Sequence, residues 1–266
     1  MKTYKGVIFF DVDGTIIDCA NGINVPTKKT RESIKKLKES GYLTILATGR
    51  PMSFVNKDLL NLGLHGYIAS NGSYAKIEDE IIFDYPIENS MLAELVEYFH
   101  ENKIDYILEG QEASYVLNLD GDKMKAIIKD SGLGDARFID KWDIKTVRTN
   151  KIVVVLNDEN MYKKIQEKYK NKYAFMIHPG GNSFEIYIGK YTKGYGIEQL
   201  IKKLGINQED TYAFGDGEND IEMFQVVKHG IAMGGYHARL EEHAYDFTEN
   251  VENEGIYEGL KKLKLI

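Results

Sequence analysis

Apolar residues fall along this chain in two rhythms that alternate. Val7–Phe10 (VIFF) is a continuous apolar run that ends in Asp-x-Asp-Gly, the pattern of a strand buried on both faces that feeds a loop. Leu43–Ala47 (LTILA) repeats it and ends at Thr48, Gly49, Arg50 and Pro51. Between them TKKTRESIKKLKESG has helical spacing and closes at Gly41. Strand, helix, strand is the unit of a parallel sheet. The same grammar returns late in the chain. Ile197, Leu200, Ile201 and Leu204 form a helical stripe closed by Gly205, followed by the strand-like TYAF, the loop GDGEND and then IAM. A last helix carries Ile256, Leu260 and Leu263 on one face.

The middle reads differently. From about Phe83 to Ile186 there are two helical stripes, one led by Met91, Leu92, Leu95, Val96 and Phe99. Among them lie strand candidates rich in Tyr, Phe and Val: IDYIL, ASYVLN, KIVVVLN, YAFMIH and SFEIYI. Neighbouring strands such as IDYIL and ASYVLN, with Gly110 in the connection, favour hairpins and an antiparallel or mixed sheet. The expected fold is therefore α/β, a doubly wound, mostly parallel Rossmann-like core sheet with an inserted α+β domain. The expected boundaries are 1–82 and 187–266 for the two parts of the core and 83–186 for the insert.

Composition narrows the setting. With 266 residues, 43% hydrophobic and 28% charged, the chain is long enough for a substantial core and has no disordered signature. Cys19 is the lone cysteine, so a reducing, cytoplasmic setting is expected. The first apolar run is too short for a signal-peptide core, and nothing approaches the ~20 apolar residues of a membrane span. A net charge of −7 with scattered basic residues excludes a nucleic-acid footprint. An acidic protein that handles an anion must offset its own charge locally, with metal or backbone dipoles.

In open parallel sheets, ligands bind beyond the carboxyl ends of strands, where Asp11 and Asp13 fall. Residues two apart on extended backbone point to one side, with Cα atoms ~6.6 Å apart. Two carboxyls so placed could flank one reacting group, one as nucleophile and the other as general acid. Taken alone, the same residues serve equally well as turn formers. Thr48 and Gly49 offer a hydroxyl and an approachable N–H before Pro51, and helix starts attract anions, although isolated Thr-Gly pairs are commonly plain caps. Lys193 falls near the positive end of a helix, unfavourable by ~0.3–1 kcal/mol unless anions lie close by. Asp216, Asn219 and Asp220 in GDGEND could supply metal-binding oxygens, or merely a loop and a cap. GDGEND fails as a dinucleotide fingerprint because Asp220 stands at its last glycine position, and GKYTKGYG fails as a P-loop because Tyr195 stands where lysine is required. The histidines show no zinc spacing.

Together these motifs resemble, in order, the four signatures of the haloacid dehalogenase superfamily of phosphohydrolases. The first is VIFFDVDGTI, with Asp11, Val12, Asp13, Gly14 and Thr15; then come ILATGRP, YTKGYGIEQL and GDGEND. Within the superfamily the chain is similar to the Cof-type, class IIB sugar-phosphatase-like group, which carries its cap domain between the second and third motifs. SNG at 70–72, FEI before the lysine motif, GDGENDIEMF and AYDFTENVENEGI support that likeness. IAMGGYHARLEEHA matches only loosely.

The resemblance implies a Mg²⁺-dependent phosphatase of small phosphorylated metabolites, with the cap closing over the site. It implies that Asp11 attacks phosphorus to form an aspartyl-phosphate, while Asp13 protonates the leaving alcohol and then activates water. Mg²⁺ would be held by Asp11, Asp216 and the backbone carbonyl of Asp13. Phosphate oxygens would be bound by Val12, Thr48, Gly49, Lys193 and Asn219, with Asp220 orienting this set. The expected partner is a small phosphomonoester, such as a sugar phosphate, and neither nucleic acid nor membrane; oligomeric state is left open. Two alternatives stand: a phosphomutase or phosphotransferase of the same superfamily, and a phosphate-responsive signalling module without turnover.

Overall fold

The computed structural model describes residues 4–121, 124–126, 128, 136–156, 159–178 and 180–266. Asn157, the last residue of KIVVVLN, lies outside them. By density of contacts the chain divides into two compact units: Met1–Gly49, Lys57–Asp84 and Tyr191–Ile266 form the first, Arg50–Asn56 and Tyr85–Lys190 the second. Assignment of Arg50–Asn56 to the second unit differs from the expected boundaries. The reason is local packing, since Phe54 joins an apolar cluster with Ile107, Val116, Met124 and Val153.

In the first unit, β1 (Val7–Phe10) lies between β2 (Leu43–Ala47) and β12 (Thr211–Gly215), parallel to both. All four β1 residues are wholly buried, as a two-faced apolar run requires. The sheet continues outward from β2 through β3 (Gly66–Ala69), β4 (Tyr74–Ile77) and β5 (Glu80–Asp84), and outward from β12 through β13 (His229–Ala232) and β14 (Asp246–Phe247). Pairing is parallel except along β3–β4–β5. The chain moves one way from β1 to β2 and enters the other half at β12. The order therefore reverses beside β1, the topological switch point at which open α/β sheets bind ligands.

Helix α1 (Lys28–Glu39) starts on Thr27, whose hydroxyl accepts from the Thr30 N–H, and stops before Gly41 in the left-handed region. It buries Ile34 and Leu37. Ile197 and Leu200, on the helix Lys193–Leu204, pack on the face of the sheet that carries Val7, Phe9 and Ile45. That helix begins on the Thr192 hydroxyl, which accepts from Tyr195 N–H, and ends at Gly205, as its sequence pattern predicts. Burial of each such aliphatic side chain stabilises the fold by about 1.5–3 kcal/mol.

The second unit has a six-stranded sheet ordered β10 (Ala174–Ile177), β11 (Ser183–Tyr187), β9 (Lys151–Val155), β6 (Tyr106–Glu109), β7 (Ser114–Val116) and β8 (Phe138–Ile139). It is antiparallel apart from β7–β8. Alternation sorts its faces. Tyr106, Leu108, Ile152, Val154, Phe184 and Ile186 pack with Leu92, Leu95 and Phe99 of the helix Asn89–Glu101 and with Ile165 of the helix Glu159–Tyr169. The opposite face carries Ile107 and Val153 but also a buried ionic cluster. There Lys151 Nζ lies 2.5 Å from Glu185 Oε1 and 3.1 Å from Glu109 Oε2, and His178 Nε2 lies 3.1 Å from Glu185 Oε1. Burial pushes Glu109 up to about 7 despite Lys151, whereas Glu185 is held below its usual value: burial opposes this, but Lys151 and His178 outweigh it.

Candidate active site

All nine residues expected at the site lie in the first unit, on loops after β1, β2 and β12 and on the first turn of the helix Lys193–Leu204. Asp11 follows β1 directly, and its N–H donates to Phe214 O on β12 at 3.0 Å. The residue is 5% exposed. The turn after it is tight. Gly14 N–H donates to Ile17 O at 2.7 Å, and Ile16 and Ile17 N–H both donate to Val12 O, so Gly14 takes φ +80°. Val12 is wholly buried, whereas Asp13 is exposed.

A second requirement falls on Gly14: a Cβ there would stand 2.1 Å from Asp216 Oδ2. The Asp216 carboxylate is thus pressed against the backbone of the first loop, and Thr15 Oγ1 donates to its Oδ1 at 3.2 Å. Thr15 belongs to the quoted first motif, but its bond to a residue 201 positions away has no periodic signal.

Lys193 is 1% exposed, and its ammonium donates to Asp11 Oδ1 at 2.5 Å and to Asp220 Oδ1 at 2.7 Å. The anions that the helix start required are therefore carboxylates of the protein itself. Burial alone would lower the lysine pKa, but Asp11 and Asp220 outweigh it and raise it above the ordinary value. Asp220 is wholly buried and fully engaged, because its Oδ2 accepts from the N–H groups of Asp216 and Gly217, both at 2.9 Å. Asn219 and Asp220 lie in a single 3₁₀ turn, Glu218–Asp220, ahead of the short helix Ile221–Val226.

Carboxylate oxygens of Asp11, Asp216 and Asp220 all come within 4.8 Å of one another. The charge does not balance. Burial raises Asp11 well above the usual carboxylate range; Lys193 opposes this, while Asp220, Asp216 and Asp13 add to it. Burial and then Asp220 push Asp216 up to about 7. A hard, all-oxygen donor set with excess negative charge suits a hard divalent cation. Asp11 and Asp216 retain oxygens for it, whereas both oxygens of Asp220 are already committed.

Thr48 is 1% exposed at the end of β2, and its N–H donates to Ile68 O on β3 at 2.9 Å. Gly49 follows it and faces two amide side chains. A Cβ on Gly49 would lie 2.8 Å from Asn71 Oδ1 and 3.7 Å from Asn219 Nδ2. The geometry thus brings Thr48, Gly49 and Asn219 together and adds Asn71, to which the sequence reading gave no role.

Comparison with known proteins bears on the family and the fold. The family model described as haloacid dehalogenase-like hydrolase matches residues 8–260. YkrA of Bacillus subtilis strain 168, whose name as a phosphatase is provisional, is 28% identical over 98% of each chain. The phosphoglycolate phosphatase of Methanosarcina acetivorans is 26% identical over 98% of this chain and 97% of its own. In fold, the HAD subclass IIB sugar phosphatase BT4131 superposes with a TM-score of 0.81 at 22% identity, covering 98% of this chain and all of that one. The chain is an enzyme of the haloacid dehalogenase-like hydrolase family, and YkrA and the Methanosarcina acetivorans phosphatase are similar to it along nearly their whole length.

Proposed function

We propose that this chain is a cytoplasmic, Mg²⁺-dependent phosphatase that hydrolyses small phosphomonoesters, sugar phosphates among them, through an aspartyl-phosphate on Asp11. The observation that carries the reading is the buried Asp11 carboxylate at the switch point of the sheet, held 2.5 Å from the Lys193 ammonium and grouped with Asp216 and Asp220. Support for a small substrate comes from the relatives, one of which is named for phosphoglycolate.

In this reading the Asp11 oxygen attacks phosphorus in line, forming an Asp11 O–P bond as the ester P–O bond breaks. Asp13, exposed two residues on, gives its proton to the departing alkoxide and then takes one from the water that attacks phosphorus. That second attack breaks the Asp11 O–P bond and releases orthophosphate. The N–H groups of Val12 and Gly49, the Thr48 hydroxyl, the Asn219 amide and Lys193 bind the phosphoryl oxygens. Asp220 orients Lys193 and the loop of Asp216. Asp11, Asp216 and the carbonyl of Asp13 would hold Mg²⁺, which when bound supplies Lewis-acid neutralisation of phosphoryl charge.

A phosphate-release screen over a panel of metabolites with Mg²⁺, with Asp11→Asn as control, tests the proposal. Expected are orthophosphate release by the wild type, silence on chelation, and loss of turnover in a folded Asp11→Asn. Wild-type rates in that variant would remove the nucleophile, and transfer to a second sugar without orthophosphate would favour a mutase.

A further inference from the structure

Three consecutive residues after β3, Ser70, Asn71 and Gly72, take positive φ of 49°, 51° and 87°. Non-glycine residues in this region are strained and persist only where the surroundings over-determine them. Asparagine tolerates the conformation well and serine less so, which makes a run of both at one strand end a point of stored strain. The strained turn is wholly internal: Ser70 is 4% and Asn71 7% exposed.

The turn touches the site from two directions. On one side Asn71 N–H donates to Thr48 O at 3.2 Å, and the Asn71 side-chain amide occupies the place that a Gly49 side chain would take. Asn219 Nδ2 approaches the same point. On the other side, Gly72 lies against the start of the lysine helix. A Cβ on Gly72 would stand 1.9 Å from Thr192 O and 3.1 Å from Gly196 N, and one on Gly196 would stand 2.8 Å from Gly72 Cα. Thr192 caps the helix whose first residue is Lys193. One short turn therefore sits between the loop that carries Thr48 and Gly49 and the helix start that carries Lys193, in contact with both.

We infer that Ser70–Asn71–Gly72 is a wedge that sets the spacing of the phosphate-binding groups, and that Asn71 is a positioning residue whose side-chain amide holds Gly49 and Asn219 in register with Lys193. The inference rests on the phosphatase reading above. It gives the glycine at position 49 a further cause: besides baring an N–H to the anion, it makes room for the Asn71 amide. An amide suits the place because it offers both a donor and an acceptor without adding charge beside a dianion.

The test separates the amide from the backbone. Asn71→Gly keeps the left-handed turn without strain and removes only the side chain. It is expected to melt within a few degrees of the wild type, yet to lose about 10²-fold in kcat/KM, the cost of a misplaced binding group. The inhibition constant for orthophosphate should rise at least about tenfold with it, since the phosphate-binding groups are what has moved. Asn71→Asp keeps shape but adds negative charge, and it should weaken orthophosphate further. Wild-type kcat/KM and orthophosphate inhibition in Asn71→Gly would overturn the inference, because a residue needed only for its turn is replaced by glycine without loss. Should Asn71→Gly fail to fold, wild-type orthophosphate inhibition in Asn71→Asp overturns it equally. Wild-type turnover on the same panel reports separately on the phosphatase reading: where it is present, failure in the variants falls on Asn71 alone, and where it is absent, that reading falls and takes the inference with it.

Discussion

Lys193→Met would expose how far the site depends on one buried cation. In the wild type the ammonium is 2.5 Å from Asp11 and 2.7 Å from Asp220, and the side chains of Lys193 and Asp220 are wholly buried. Methionine keeps most of the stem and removes the charge, which leaves two buried carboxylates facing each other. Loss of one partner from a buried pair costs about 3–5 kcal/mol, because the remaining charge is uncompensated. At about 2–4 °C per kcal/mol for a domain of roughly 150–250 residues, the melting temperature should fall by about 6–20 °C at pH 8. The pH dependence carries the sharper prediction. Lys193, raised above its ordinary value, stays charged throughout pH 5–8, and its stabilisation is lost only as pH rises through that raised value. Asp11 is raised well above the usual carboxylate range, by burial first, so it takes up a proton readily as pH falls and then no longer needs the ammonium. The penalty of Lys193→Met should therefore shrink between pH 8 and pH 5. Thermal and urea unfolding of metal-free wild type and variant at both pH values measure it. A variant that melts within about 2 °C of the wild type at pH 8, or a loss independent of pH, would show that Lys193 does not hold the two buried carboxylates in check.

Two further outcomes follow from particular contacts. Gly14→Ala would place a methyl 2.1 Å from Asp216 Oδ2 on a backbone at φ +80°, so it should move Asp216 and cost about 10²-fold or more in kcat/KM. Calorimetric titration of Mg²⁺ should show binding to the wild type and none to Gly14→Ala, and equal binding by both would contradict it. Glu109, raised from 4.5 to about 7 by burial first, contributes stability below its unfolded value that is lost as pH rises through about 7, at up to about 3 kcal/mol. Glu109→Gln should match the wild type near pH 4.5 and exceed it at pH 8, since Lys151 keeps Glu185; a loss of equal size at both pH values would show that the carboxylate acts through packing.

The parallel centre of the core was legible because β1 is an unbroken buried apolar run and β2 and β12 are mostly apolar and mostly buried, with Thr44 and Thr211 as their polar members. The outer strands were not. β4 and β5 mix Lys76, Glu80 and Asp84 with their apolar residues, and the two-residue β8 and β14 exist through pairing with β7 and β13 rather than through a pattern of their own. The residue types of the site could be read from four short motifs, since Asp11, Thr48, Lys193 and Asp216 each end a strand or open a helix. The contacts that tune them could not. Thr15 reaching Asp216, Asp220 sharing Lys193 with Asp11, and Asn71 filling the space beside Gly49 all join residues remote in sequence, where periodicity carries no information. Phe54 is a similar case: it joins Ile107 and Val153, and its short segment with them, through packing alone.

Whether Asp11 is the nucleophile is decided by quenching the enzyme during steady-state turnover of a phosphomonoester with Mg²⁺ and locating the phosphoryl group by peptide mass spectrometry. Catalysis through an aspartyl-phosphate requires an acid-stable, hydroxylamine-labile phosphoryl group on the peptide that contains Asp11, absent from Asp11→Asn. A phosphoryl group on any other residue, or full turnover with none trapped on Asp11, would contradict it.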